Sequence, residues 1–456
     1  MCGPGFDERP GFFVAAAVQA PLEELGLMEK ARQTSQKERF IGLEWLRFAL
    51  GLYIVIFHTL HTYPSISDWS HYVTDIGFFS TSTFFVLSGF LLTHVYLDNQ
   101  RKLREPARSF WIKRFSNLYP IHIGSLVLAV SMSALIGYLA ISPEDAGMSP
   151  RFVIYDVNND LGQATPGALE HFMSNGELAL NLVLNVGLLH AWNPYYLTFN
   201  PPSWSISALM GFYLVFPWIA PRLFRIRRVG RALALTNLLY LIPPLLVIIT
   251  TDFGMPETGI LHRNPLIRLP EFVGGILLCV WYTRYRAAGG WLSVIQRLML
   301  ATFVVGCVVV AVWLLGQGHA WYYLLHNGLL LPAQLALILL ATQWSTPESR
   351  RVRRLASRLG GASLPMFALH VPLFVIFTRF ERVFAGDPAL CASGFRACFD
   401  AAGDSSLAFY PLFLLLTVLF CVMFQEQFVL RVRNVMQRWL LPRVGTPPSH
   451  TEKVAR

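Results

Sequence analysis

An arginine and a histidine stand eleven positions apart in the apolar stretch from Arg39 to His61, RFIGLEWLRFALGLYIVIFHTLH. At roughly 100° per residue, that separation makes about three turns plus 20°, so a helix here projects Arg47 and His58 from one face. A rise of about 1.5 Å per residue sets His58 about 16 Å further along the helix than Arg47. An ionisable group so deep in an apolar segment is costly unless it meets a polar cavity, which makes it a functional candidate. A neutral imidazole, with a reference pKa of roughly 6.5, accepts a proton near neutral pH. A guanidinium stays charged and binds anions bidentately.

Other polar residues fall where a bilayer should exclude them. They are Ser88 in the run IGFFSTSTFFVLSGFLLTHVYL, Lys113 and Arg114 at a helix entrance, Trp204 and Ser205 in NPPSWSIS, Arg268 with Glu271, and His370 between Pro365 and Pro372. Each also has a plain structural reading. Arg47 can snorkel to an interface, Arg114 can orient its span, and Trp204 can join an interfacial aromatic belt. His58 can hydrogen-bond between helices, and His370 can line a kink. Arg268 and Glu271, three apart, suit an ion pair on one helix face. The six cysteines lack metal-ligand spacing, so no metal site is expected; Cys391 and Cys398, together in a polar loop, are the pair that could form a disulfide.

The elements that position these residues follow from composition. Of the 456 residues, 54% are hydrophobic and 14% charged, too apolar for an ordinary soluble enzyme. The expected fold is all-α, a polytopic transmembrane bundle of about ten spans with both termini cytosolic. The formal charge of +10 does not imply a nucleic-acid partner, because the basic residues cluster between apolar runs as the positive-inside rule requires. Residues 1–38 read as a cytosolic tail, with Met28 an alternative start; 39–430 form the membrane domain and 431–456 a basic cytosolic tail. Spans are expected at Arg39–His61, Ile76–Leu97, Leu118–Ile141, Ser203–Ala220, Ala232–Thr250, Leu269–Tyr282, Leu298–Leu315, Trp321–Trp344, Gly361–Phe377 and Leu407–Phe428. The polar stretch from Ser142 to Glu177 is expected outside, followed by a re-entrant or surface helix.

In sequence order, these motifs resemble the acyltransferase-3 family of integral membrane O-acyltransferases, over about Arg39 to Phe428. The family's arginine, ten residues, histidine signature is met by Arg47 and His58. Its later patterns are similar to TFFVLSGF (Thr83–Phe90), KRFSNLYP (Lys113–Pro120), PSWSIS with Phe212 and Tyr213, and Arg268, Pro270, Glu271, Phe272 and Gly275. The last is Gly360, Ser363, Leu369, His370 and Pro372. Two positions depart from the pattern: Asn117 replaces a second arginine and Leu209 a frequent glutamate.

The resemblance implies transfer of an acyl group, with acetyl expected, from cytosolic acyl-CoA as cosubstrate to a hydroxyl of a sugar, polysaccharide or glycolipid. It places His58 as general base and Arg47, with Lys113 and Arg114, on the donor phosphates. Ser88, Trp204, Ser205, Arg268, Glu271 and His370 are expected around the pocket or the acceptor route. The expected location is a bacterial inner membrane, and the membrane domain either completes transfer or hands the acyl group to a separate extracytoplasmic partner. A proton-coupled transporter or translocator, with His58 and Glu271 as a relay, is the alternative. A structural scaffold is a third reading, to which Asn117 and Leu209 would point.

Overall fold

The computed structural model describes residues 40–98, 100, 102–139, 149–156, 169–345 and 347–441. The expectations for the first 38 residues, including Met28, and for the tail past residue 441 lie outside these.

Inside lipid the backbone must satisfy its own hydrogen bonds, and the apolar runs do so as helices. In chain order these are α1 (Ile41–Thr59), α2 (Ser67–Thr74), α3 (Phe78–Tyr96), α4 (Ala107–Leu139), α5 (Asn175–Val186), α6 (Trp204–Phe224), α7 (Val229–Thr250) and α8 (Glu257–Arg263). They continue with α9 (Pro265–Ala287), α10 (Val294–Leu315), α11 (His319–Leu324), α12 (Leu331–Thr342), α13 (Arg350–Ala385), α14 (Phe395–Asp400), α15 (Tyr410–Met423) and α16 (Leu430–Leu440). A short antiparallel hairpin, β1 (Phe152–Ile154) with β2 (Glu170–Phe172), pairs Val153 with His171. Among the described residues, nine helical stretches are long and apolar enough to cross a membrane, and a pair bent by 45° makes a tenth. All ten fall on the expected spans.

Two expectations shift in detail. The span placed at Leu269–Tyr282 is part of a longer helical stretch, Glu257–Ala287, whose second part opens with Pro265 and the Asn264 side chain accepting from the Leu266 N–H. Its first turns carry Arg263, Arg268 and Glu271, whose charges hide it from a hydropathy reading. The span at Trp321–Trp344 is broken at Asn327 and Gly328, the latter at φ +126°, where glycine has no Cβ to clash. Helix α5 stops at 12 residues, short of a span as expected, and starts at a Ser174–Glu177 capping box.

The bundle is built around α3, whose apolar window is 94% buried. Ser80, Ser82 and Thr83 there are fully buried, and their short side chains let other backbones approach. A Cβ on Gly89 would sit 2.1 Å from the Phe272 carbonyl oxygen, and one on Gly275 would sit 1.8 Å from that of Val86, so α3 and α9 touch backbone to backbone. Helix α1 lies along α13 in the same way, with Gly51 against Ser363 and Met366. By contrast α7 and α10 are largely exposed along their apolar lengths, as lipid-facing helices are.

The two ends of the bundle differ chemically. At one end the basic segments meet: Arg284 donates to the Phe224 and Ile226 carbonyls, and Arg358 pairs with Glu426. At the other end Asp156 joins the hairpin segment to α8, Glu381 accepts from Tyr63, and Cys391 is disulfide-bonded to Cys398.

Candidate active site

Helix α1 carries Arg47 at the basic end and His58 one residue before its other end. Arg47 lines a cavity of about 360 Å³ with Arg114, Ser88, Asn117, Tyr213 and Gln425. Arg47 pairs with Glu44 at 3.3 Å, and Arg114 donates to the Tyr96 hydroxyl at 2.7 Å while lying over that ring. Ser88 donates to the Phe84 carbonyl at 2.8 Å, which leaves its oxygen able to accept. Two guanidinium groups from α1 and α4 thus face one polar cavity, which Glu44 also lines, an arrangement that can bind phosphate. Lys113 is not among the lining residues and is paired with Glu105.

His58 is half-buried, and its ring stacks on His370 from α13 with centroids 5.0 Å apart. His370 is fully buried, and its Nδ1 donates to the Met366 carbonyl at 2.8 Å. A carbonyl only accepts, so this bond fixes the tautomer and leaves Nε2 as a bare acceptor without a hydrogen-bond partner. The residues flanking this pair line two cavities: Phe57 one of about 900 Å³, and Val371 and Pro372 a neighbouring one of about 460 Å³.

Arg268 and Glu271 form the expected ion pair, at 2.9 Å, and both are sealed from solvent. Arg268 also donates to Ser82 at 2.6 Å and to the His326 carbonyl at 2.7 Å. That carbonyl is freed by the break in the α11–α12 span, so the guanidinium satisfies backbone that the helix abandons. Trp204 is buried edge-on against His262 at 5.0 Å, while Ser205 donates to the Pro202 carbonyl and lines none of the three cavities.

Sequence reasoning overlooked three residues here. His326 lies in an apolar span, the same signal that singled out His58. His262 lies ahead of Leu269, the expected start of its span, outside the apolar run. Asp156 sits in a polar stretch with nothing local to mark it, yet it accepts from His262 at 2.9 Å and from Arg263. Burial pushes its carboxyl up, but the charges and hydrogen bonds of His262 and Arg263 outweigh this and hold it at about 2.

Comparison with known proteins settles the lineage, since a family model described as an acyltransferase domain matches residues 40–426. The chain belongs to the acyltransferase-3 family. It is an integral membrane protein by its apolar helices and this kinship. It is similar to "Acyltransferase MdmB" of Streptomyces mycarofaciens, 28% identical over 223 residues, which cover 46% of this chain and 48% of that protein. It is also similar to "Protein 2 in picA locus" of Rhizobium radiobacter, 32% identical over 182 residues, covering 38% of this chain and 78% of that one. A third relative is "Putative peptidoglycan O-acetyltransferase YrhL" of Bacillus subtilis (strain 168), 22% identical over 368 residues, covering 78% of this chain and 51% of that protein. The chain therefore spans about half the length of two of these relatives. No solved structure matches.

Proposed function

We propose that this protein transfers an acyl group, acetyl in the first instance, from acyl-CoA to a hydroxyl of a carbohydrate or glycolipid acceptor. The observation that carries the reading is the pairing on α1: Arg47 in a two-guanidinium cavity at the basic end, and His58 about 16 Å along the same face. Basic loops mark the cytosolic side by the positive-inside rule, and a disulfide belongs to the oxidising side. The Arg47 cavity then opens to cytosolic CoA, both termini are cytosolic, and the wide cavities beyond His58 open outward, in the inner membrane of a bacterium. The names of the MdmB and YrhL relatives support acyl transfer.

In this mechanism Arg47 and Arg114 hold CoA phosphates, and the extended pantetheine arm carries the thioester toward His58. The acceptor oxygen attacks the thioester carbonyl, the new C–O bond forms, and the C–S bond breaks. His58 takes the hydroxyl proton and passes it to the departing thiolate, giving free CoA. The His370 ring behind His58 holds the imidazole in place.

The test is release of free CoA from acetyl-CoA by purified protein in lipid vesicles, with and without a membrane extract as acceptor source. Wild-type release that His58→Ala abolishes supports the assignment. A folded wild type that releases no CoA from any short-chain donor overturns it in favour of a transporter or an inactive relative.

A further inference from the structure

The cavity of about 900 Å³ has a carboxylate and an imidazole in contact on its wall, and the mechanism above uses neither. Asp156 is held from three sides: its N–H donates to the Tyr195 carbonyl at 2.8 Å, its carbonyl accepts from Thr258, and its Oδ2 accepts from His262 and Arg263. The two donors beside it are not equivalent. Arg263 is sealed, with its Nε donating to the Asn193 carbonyl at 2.8 Å, so it ties the hairpin segment to α8. His262 is 27% exposed and lines both outer cavities.

The orientation of His262 is fixed. Its Nδ1 donates to Asp156 at 2.9 Å, which leaves Nε2 as a hydrogen-bond acceptor. Its ring is wedged edge-on between Trp204, at 5.0 Å, and His326, at 5.4 Å. His58 stacks on His370, and Phe57, beside His58 on α1, lines the larger cavity together with His262. No lysine or arginine is among the residues lining the larger cavity, whereas Asp75 and Asp156 are. Such a lining disfavours phosphate or carboxylate and suits neutral groups that donate hydrogen bonds.

We infer that the Asp156–His262 pair is a binding subsite for a neutral polyhydroxyl acceptor, one of whose hydroxyls donates to His262 Nε2 while another is presented to His58. The inference rests on the acyl-transfer reading. It adds that the acceptor carries at least two hydroxyls and no anionic group at this point. Asp156 is the positioning residue, since it holds the tautomer and the ring angle.

Transfer of labelled acetyl from acetyl-CoA to native host membranes and to methyl α-D-glucoside, beside CoA release to water and CoA binding, tests this. His262→Gln is expected to lower acceptor labelling at least about tenfold, with water-dependent CoA release and CoA affinity unchanged. Asp156→Asn is expected to raise the acceptor KM, while Arg263→Lys, which loses one of the two bonds of the tie, is expected to lower the thermal midpoint with CoA affinity unchanged. Full labelling by His262→Gln overturns the subsite. So does a joint loss of CoA binding and thermal stability in the His262, Asp156 and Arg263 variants, which would make the cluster a structural tie only. A wild type that releases CoA yet labels neither acceptor source removes the subsite and leaves the transfer reading standing. One that releases no CoA removes both.

Discussion

The His58 and His370 rings, from α1 and α13, stack 5.0 Å apart with their planes inclined by 26°. Because His370 donates from Nδ1 to the Met366 carbonyl, its ring is anchored to its own helix and its other nitrogen is left as an acceptor. In the proposed mechanism His58 exchanges the proton and His370 supports it. His58→Ala is expected to lower acyl transfer by about 10²–10⁴-fold, the range for removing a general base. His370→Phe keeps the ring contact and is expected to lower kcat far less, with the donor KM unchanged. Steady-state CoA release at varied acetyl-CoA reads both; equal losses in the two variants would contradict the division.

Arg47 shares its cavity with Arg114 and is already paired with Glu44, a partner that a phosphate must displace. Arg47→Ala is expected to raise the donor KM by about 10–100-fold, as expected for a charge-assisted hydrogen bond of about 1.5–3 kcal/mol. Glu44→Gln is expected to lower the donor KM by removing the competing carboxylate. Binding of CoA itself, followed by calorimetry, checks both; an Arg47→Ala protein with unchanged affinity would place the phosphates elsewhere.

The contact between α3 and α9 leaves no room for side chains at Gly89 and Gly275, where added Cβ atoms would meet the carbonyl oxygens of Phe272 and Val86 at 2.1 and 1.8 Å. Neither obstacle is a flexible side-chain end, so the helices must move apart. Gly275→Val is expected to abolish folded, monodisperse protein in detergent, and Gly89→Ala to lower the thermal midpoint clearly. Fluorescence-detected gel filtration after heating reads the outcome.

How far the sequence went follows from the kind of signal each residue carries. Long apolar runs bounded by basic loops give the ten spans, because helix length and backbone satisfaction in lipid leave few other solutions. Arg47 and His58 were visible for the same reason: charge in an apolar run is unusual, and helical spacing joins them. His262 and Asp156 were not, since 106 positions separate them and only the tertiary fold brings the loop carboxylate to the ring. The expected membership of Lys113 in the donor site followed its neighbour Arg114 in the chain, but adjacent helical residues point about 100° apart. The ion pair between Arg268 and Glu271 was legible from their spacing; its link to the broken span through His326 was not.

The Asp156 carboxyl, held at about 2 against an ordinary 3.8, makes the tie between the hairpin segment and α8 pH-dependent. A depressed folded pKa contributes stability that is fully present above the unfolded value and lost as pH falls through the folded one. The carboxyl is a quarter exposed, so solvent screens part of the effect. The difference in thermal midpoint between wild type and Asp156→Asn is expected to stay constant from neutrality to about pH 4 and to shrink from there toward about pH 2. A difference that does not vary over that range would show that the carboxylate charge does not support the tie.

Arg268 and Glu271 are sealed from solvent, and Arg268 also satisfies the His326 carbonyl at the break in the α11–α12 span. Removing one partner strands a charge in a medium that cannot solvate it, at a cost of about 3–5 kcal/mol. Arg268→Met is therefore expected to destabilise more than Glu271→Gln, because it strands the carboxylate and leaves the freed carbonyl only the long bond from the Tyr240 hydroxyl, at 3.4 Å. The double variant Arg268→Met with Glu271→Leu removes both charges but still leaves the His326 carbonyl with that long bond alone, so it is expected to recover only part of the loss. Thermal unfolding of the three variants in one detergent orders them. Full recovery by the double variant would show that the carbonyl does not need the guanidinium, and that the pair serves only to neutralise itself.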